Sequence, residues 1–252
     1  MNAPQLRPAA IIFGANGGIG SSVARRLVAS GWRLALGGRD AESLERLSAE
    51  TNTFSQVVEA TDEAQVEAIF SNACDRFGRL DGVVNCCGSL LLKPAHLTTN
   101  LEWDQTLAAN LVTAFVVLRA AVARMMRSGG GSIVLVSSVA AQHGMINHEA
   151  VAAAKGGVVG LALSAAATYA RYNIRVNCVS PGLTRTPLTD AITKKEAALK
   201  ASAALHPLGR IGEPDEVSSA IAWLLDPEQR WVTGQIIGVD GGLSSVQARQ
   251  SH

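Results

Sequence analysis

Short apolar runs alternate with helical stretches along this chain, and that alternation leaves few folds open to it. Ala9 to Phe13 is followed by Ile19 to Ser30, Arg33 to Leu36 by Ala41 to Glu50, and Ser55 to Val58 by Glu63 to Phe77. The pattern continues through Gly82 to Val84, a long helical segment from Leu101 to Arg127, the run Ser132 to Val136, a helix around Ala150 to Tyr172 and the strand-like Ile174 to Cys178. Strands separated by helices pair in parallel through right-handed crossovers, with helices on both faces of one sheet. The expected fold is an α/β, doubly wound parallel sheet of the Rossmann type, with about seven strands.

Beyond Cys178, Ser180-Pro181-Gly182 opens a polar stretch, residues 183–208, that reads as a mobile excursion of the kind that covers ligands. A helix from Asp215 to Leu225 and a strand from Gln235 to Val239 close the pattern before Asp240-Gly241-Gly242. With no linker, repeat or low-complexity tract, residues 1–252 read as a single domain whose core runs from 9 to 242.

Composition narrows the function classes. Hydrophobic residues make up 48% and charged ones 17% of the 252 residues, with a mean hydropathy of +0.19, a balance that buries a core and excludes a disordered chain. The 22 Lys and Arg are scattered among 21 acids for a formal net charge of +1, so no basic face points to nucleic acid or an anionic membrane. The N-terminus has no apolar stretch long enough for a signal-peptide core, and no unbroken apolar run approaches the roughly 18 residues of a spanning helix. A cytoplasmic protein is expected. Cys74, Cys86, Cys87 and Cys178 lack C-x-x-C spacing, so neither a metal site nor a disulfide framework is indicated.

Directly after the first strand stands Gly14-Ala15-Asn16-Gly17-Gly18-Ile19-Gly20, and a helix follows. Glycines permit the tight turn and close backbone approach, and a helix N-terminus offers N–H groups to a pyrophosphate. Position inside a β-α-β unit favours nucleotide binding over a plain turn. The second strand ends at Gly38, where an acid would bond an adenosine ribose, and Arg39 comes next, with a fork suited to a 2′-phosphate. NADP(H) is therefore favoured over NAD(H), unless Arg39 is a solvated loop charge. Asp40 reads as the N-cap of the following helix.

In these motifs the chain resembles the short-chain dehydrogenase/reductase family, particularly members that look like 3-oxoacyl-acyl-carrier-protein reductases. The glycine run is similar to the family's G-x-x-x-G-x-G, with Phe13 where threonine is usual. Glu59-Ala60-Thr61-Asp62 is similar to an adenine-contacting D-V-T-D, and Asn85-Cys86-Cys87-Gly88 to N-N-A-G on the adenosine side. Pro181, Gly182, Thr184 and Thr186 match the P-G-x-x-x-T segment that, in the family, packs on the nicotinamide and holds its carboxamide.

The resemblance implies a serine, a tyrosine, a lysine and an asparagine at work on a carbonyl or alcohol substrate. Ser138 matches the serine that holds the substrate oxygen, Lys155 the lysine that bonds the nicotinamide ribose, and Asn110 the asparagine of a proton relay. Val151 stands at the tyrosine's place in Y-x-x-x-K. The chain's only tyrosines, Tyr169 and Tyr172, lie beyond Lys155 and cannot supply the motif. His148, three residues before Val151, is the substitute acid the sequence offers, with His143 a weaker one. Two functions are consistent with this pattern: an NADP(H)-dependent carbonyl reductase or alcohol dehydrogenase with a non-standard site, and a catalytically deficient NADP(H)-binding sensor or structural subunit. Family members are commonly tetramers, so a homo-oligomer, tetramer or dimer, is expected.

Overall fold

The computed structural model describes residues 7–247. Seven strands form one parallel sheet: β1 (Ala9–Phe13), β2 (Arg33–Gly38), β3 (Phe54–Val57), β4 (Gly82–Asn85), β5 (Gly131–Val136), β6 (Ile174–Pro181) and β7 (Ile236–Val239). Their spatial order is β3-β2-β1-β4-β5-β6-β7. The order reverses between β1 and β4, and in such sheets a crevice opens beyond the strand ends at that point. Pairing of Phe13 with Gly37 and with Asn85 sets the three strand ends around it level.

Both faces of the sheet are buried, which is why β1 is a continuous apolar run with no polar alternation. Ile11 and Phe13 pack into a core with α3 (Glu63–Phe77), α5 (Thr113–Ser128) and α6 (Glu149–Tyr169). Ala10 and Ile12 face the opposite core, beneath α1 (Gly18–Ala29), α2 (Ala41–Thr51) and α9 (Pro214–Leu225). Helix starts follow local chemistry. Asp40 caps α2 by accepting from Ser43 N at 2.7 Å, and Asp62 caps α3 through Ala64 N at 2.9 Å. Helix α1 has neither a side-chain cap nor an acid in its first turn.

The main differences from the sequence expectation are three. The segment read as one helix from Leu101 to Arg127 is α4 (Asn100–Leu107), a π turn over Ala108–Val112, and then α5. Strand β6 continues past Cys178 to Pro181 because its end pairs with β7, Ser180 opposite Gly238. The excursion at 183–208 carries two helices, α7 (Asp190–Thr193) and α8 (Glu196–Leu205). By length and composition the helical segments Asn100–Ser128 and Glu149–Tyr172 could span a membrane, yet each packs one side on the sheet.

Candidate active site

The C-terminal ends of the strands open into a cleft of about 600 Å³. Its floor is the start of α1 and the segment after β4, its walls the turn after β5 and the N-terminal half of α6, and its roof the excursion with α8. Ala198, Ser202 and Leu205, three and four residues apart on α8, all face into it.

At one end the backbone makes the shape. Gly14 adopts a positive φ of 68°, and a β-carbon on Gly20 would stand 2.2 Å from Gly14 O, so the loop folds this tightly only with glycine. A β-carbon on Gly18 would stand 2.6 Å from Thr186 Cγ2, which shows how closely the roof approaches the loop. Asn16 fills the space beside Gly38, where a β-carbon would meet its Oδ1 at 2.2 Å. Without a cap or a first-turn acid, the opening N–H groups of α1 are left for an anion, and the cradle fits a pyrophosphate.

Arg39 is largely exposed, 74% at its side chain, and lies 3.7 Å from Glu59 Oε2. Glu59 also accepts from Thr61 N at 3.2 Å and Thr61 Oγ1 at 3.0 Å. Ala60 is buried beside it. Asn85 is a turn former: its Oδ1 accepts from Cys87 N at 3.2 Å. Cys86 and Cys87 lie on the cleft floor, where burial pushes both thiols up, Cys87 to about 12, so they stay protonated at neutral pH.

At the other end side chains make the chemistry. Lys155 is buried, and its Nζ donates to Val136 O at 2.8 Å and Cys87 O at 3.4 Å. Burial pushes its ammonium down to about 8. Ser137 Oγ donates to Lys155 O at 2.9 Å and ties this turn of α6 to the end of β5. Asn110 sits in the π turn, a feature that recurs at functional sites. Its Nδ2 reaches Thr106 O at 2.9 Å and Ser89 Oγ at 3.0 Å, and its Oδ1 accepts from Ser89 N at 3.2 Å. That grip holds Gly88, where a β-carbon would crowd both Asn110 Oδ1 and Lys155 Nζ.

Ser138 lines the cleft and accepts from Ala140 N at 3.2 Å, a bond that uses an oxygen lone pair and not the O–H. His148 is the N-cap residue of α6, so His148, Val151 and Lys155 face the same cleft along one side of the helix. His148 Nδ1 lies 2.7 Å from Ile146 O; since a carbonyl only accepts, Nδ1 carries the proton. Neither Tyr169 nor Tyr172 lines the cleft: Tyr169 packs on the core, and Tyr172 OH accepts from Arg171.

Ile19, Gly88, Asn110, Ser138, His148, Lys155, Pro181, Gly182, Thr184 and Thr186 thus meet on one surface. Gly14, Asn16, Gly18 and Gly20 build the adjoining loop, while Arg39 and Glu59 lie farther out at the ends of β2 and β3. The sequence reading missed Ser137, Ser89, Thr189 and His206. Ser137 had a signal, being the other member of a serine pair at a strand end. Ser89 and His206 act through contacts with segments distant in sequence, and Thr189 through the turn that it closes on Thr184 and Thr186.

A family model described as Enoyl-(Acyl carrier protein) reductase matches residues 14–244. The chain belongs to the short-chain dehydrogenase/reductase family. It is 33% identical to levodione reductase of Leifsonia aquatica over 250 residues, 94% of each chain. It is 35% identical to a 3-oxoacyl-acyl-carrier-protein reductase of Thermotoga maritima over 240 residues, 92% of this chain and 96% of that one. Among solved structures, a variant of actinorhodin polyketide ketoreductase with NADPH superposes with a TM-score of 0.91 at 28% identity, covering 95% of this chain and 98% of that one. The chain is thus an oxidoreductase-family protein with the nucleotide-binding sheet of that family.

Proposed function

We propose that the chain is an NADP(H)-dependent oxidoreductase that interconverts a carbonyl and an alcohol by hydride transfer, at a site where Val151 replaces the tyrosine of its relatives. The observation that carries this reading is the meeting of Ser138, Asn110 and buried Lys155 in one cleft beside the glycine loop. Ile19, Pro181, Gly182, Thr184 and Thr186 would hold a nicotinamide there, which when bound would supply or accept the hydride. Arg39 would meet the 2′-phosphate and Lys155 the ribose, and the Ser138 hydroxyl would orient the substrate oxygen. The substrate is a small neutral carbonyl compound, since Leu90, Leu92, Val139, Met145, Ile146 and Leu188 make the mouth apolar.

His148 is the proton donor in this reading. With Nδ1–H committed to Ile146 O, Nε2 has a proton to give only when the ring is charged. Reduction is therefore expected to fall as pH rises and imidazolium is lost. His148→Ala should flatten that profile and leave NADPH affinity intact; a mutant that keeps the wild-type profile rules His148 out. The protein acts as a homo-oligomer, which exposed Trp103, Val112, Phe115 and Leu163 on α4–α6 support.

Val151 favours a second reading, an NADP(H)-binding sensor or structural subunit without turnover, because a buried valine provides no proton. NADPH oxidation against a panel of neutral ketones separates the two. Binding without oxidation of the cofactor by any ketone selects the second, and absence of NADPH binding sinks both.

A further inference from the structure

His206 ends α8 and is almost fully buried, 3% exposed, in the wall between the cleft and a smaller cavity of about 300 Å³. Both ring nitrogens are engaged. Nδ1 lies 2.7 Å from Ser202 O, so it carries the proton. Nε2 is then the acceptor of the neutral ring, and it takes the N–H of Leu183 at 3.3 Å. Gly182 makes this approach possible, since a β-carbon there would stand 2.8 Å from Nε2.

The bond to Leu183 reaches the cofactor cradle through a short chain of contacts. Leu183 O accepts from Gly212 N at 2.9 Å, Thr189 Oγ1 donates to Thr184 O at 2.6 Å, and Thr186 lies against Gly18 in the glycine loop. His206 thus joins the roof helix on one side to the turn carrying Thr184 and Thr186 on the other.

We propose that neutral His206 is a positioning residue that holds the 183–186 turn against the glycine loop, and that charging its ring releases the turn. This rests on reading the cleft as an NADP(H) site. An imidazolium donates from both nitrogens, so its Nε2–H opposes the Leu183 N–H and the bond is lost. Asp240, which a β-carbon on Gly182 would meet together with Nε2, is the anion placed to receive the displaced Nε2–H; its carboxylate also accepts from Gly242 N and Ser244 N, each at 2.9 Å, and from Ser244 Oγ. The other charged or titratable groups are Glu196 and Lys200 elsewhere on α8, the Arg210–Glu216 pair lining the smaller cavity, and Lys155, His143, His148, Cys86 and Cys87 lining the cleft.

The test compares wild type, His206→Gln and His206→Ala by NADPH fluorescence titration between about pH 5 and 8, the range in which histidine acts as a switch. The 2′-phosphate itself titrates near pH 6, equally in all three proteins. Wild type should lose about 3- to 10-fold more affinity on acidification than His206→Gln, whose amide oxygen accepts at any pH, as expected for one buried hydrogen bond. His206→Ala should bind weakly throughout. A glutamine variant that follows the wild-type curve overturns the proposal. The protection of the Leu183 amide against hydrogen exchange, without cofactor, gives an independent reading: it should fall on acidification in wild type and hold in His206→Gln. Protection that holds in wild type overturns the proposal, whereas failure of NADPH to bind at any pH, with protection behaving as expected, overturns only the cofactor reading.

Discussion

At the phosphate end of the cleft, Gly14, Gly18, Gly20 and Gly38 are fixed by what their missing side chains would strike, and the groups left for a ligand are backbone N–H. At the carbonyl end, Ser138, Asn110, His148 and Lys155 bring specific atoms to the cleft, each held by a partner of its own. The two ends respond differently to substitution. Phe13 ends β1 and Cys86 and Cys87 directly follow β4, positions where the resemblance implies other residues, yet the adjoining strand ends keep their register. On the proposed reading, a single valine at the other end removes a whole chemical function. A region shaped by backbone absorbs changes of side chain, and a region shaped by side chains does not.

The sharpest way to break that contrast is Val151→Tyr. If the carbonyl end lacks only a proton donor, the new phenol, one turn from Lys155, should raise turnover on a ketone by roughly 10- to 10⁴-fold, the range of general acid catalysis. An unchanged rate in a folded, NADPH-binding variant would mean that the mouth is built around valine, and the contrast would then be one of different chemistry and not of loss.

Lys155 supplies the next largest effect, on stability. Burial lowers its pKa from 10.5 to about 8, and each pKa unit is worth about 1.4 kcal/mol, so the charged amine costs the fold about 3 kcal/mol. The sign follows from the depressed folded value. The contribution of the neutral amine is fully present above pH 10.5 and is lost as pH falls through about 8. Lys155→Met should therefore stabilise the protein to urea by up to about 3 kcal/mol at pH 7, with the gain shrinking toward pH 10. A gain that ignores pH would detach it from ionisation.

Arg39 tests the phosphate end with the smallest effect. Its side chain is mostly exposed and shared with Glu59, so Arg39→Ala should reduce the preference for NADPH over NADH by about 10-fold, the low end for a hydrogen bond to a charged group, with NADH affinity unchanged. Loss of both cofactors together would show that Arg39 supports the loop and does not read the phosphate.

Much of this was legible before any coordinates. Strands β1, β2 and β4 to β6 announce themselves as apolar runs because the sheet is covered on both faces, and Asp40 marks a helix start with its own side chain. The glycine loop and the spacing of Val151 from Lys155 are local, so they read directly. What stayed hidden depends on contacts between distant segments. The π turn around Asn110 is held by Ser89, twenty-one residues away. The part played by His206 arises because the chain returns to Leu183, and nothing near residue 206 signals it. Helix α8 is hidden in a stretch that reads as polar because Lys194, Lys195 and Glu196 stand at its start, although Ala and Leu fill most of 196–205.

The strand order carries a consequence for biosynthesis. Ala10 pairs with Gly82, so on the ribosome β1 waits for a neighbour that lies 72 residues downstream. At ordinary translation rates that interval is roughly 4 to 14 seconds. During it the most apolar strand of the sheet has a free edge, a template for pairing with other nascent chains. Yield in cells should therefore respond to chaperone supply and to translation speed over residues 14–82 more than to changes in the later strands.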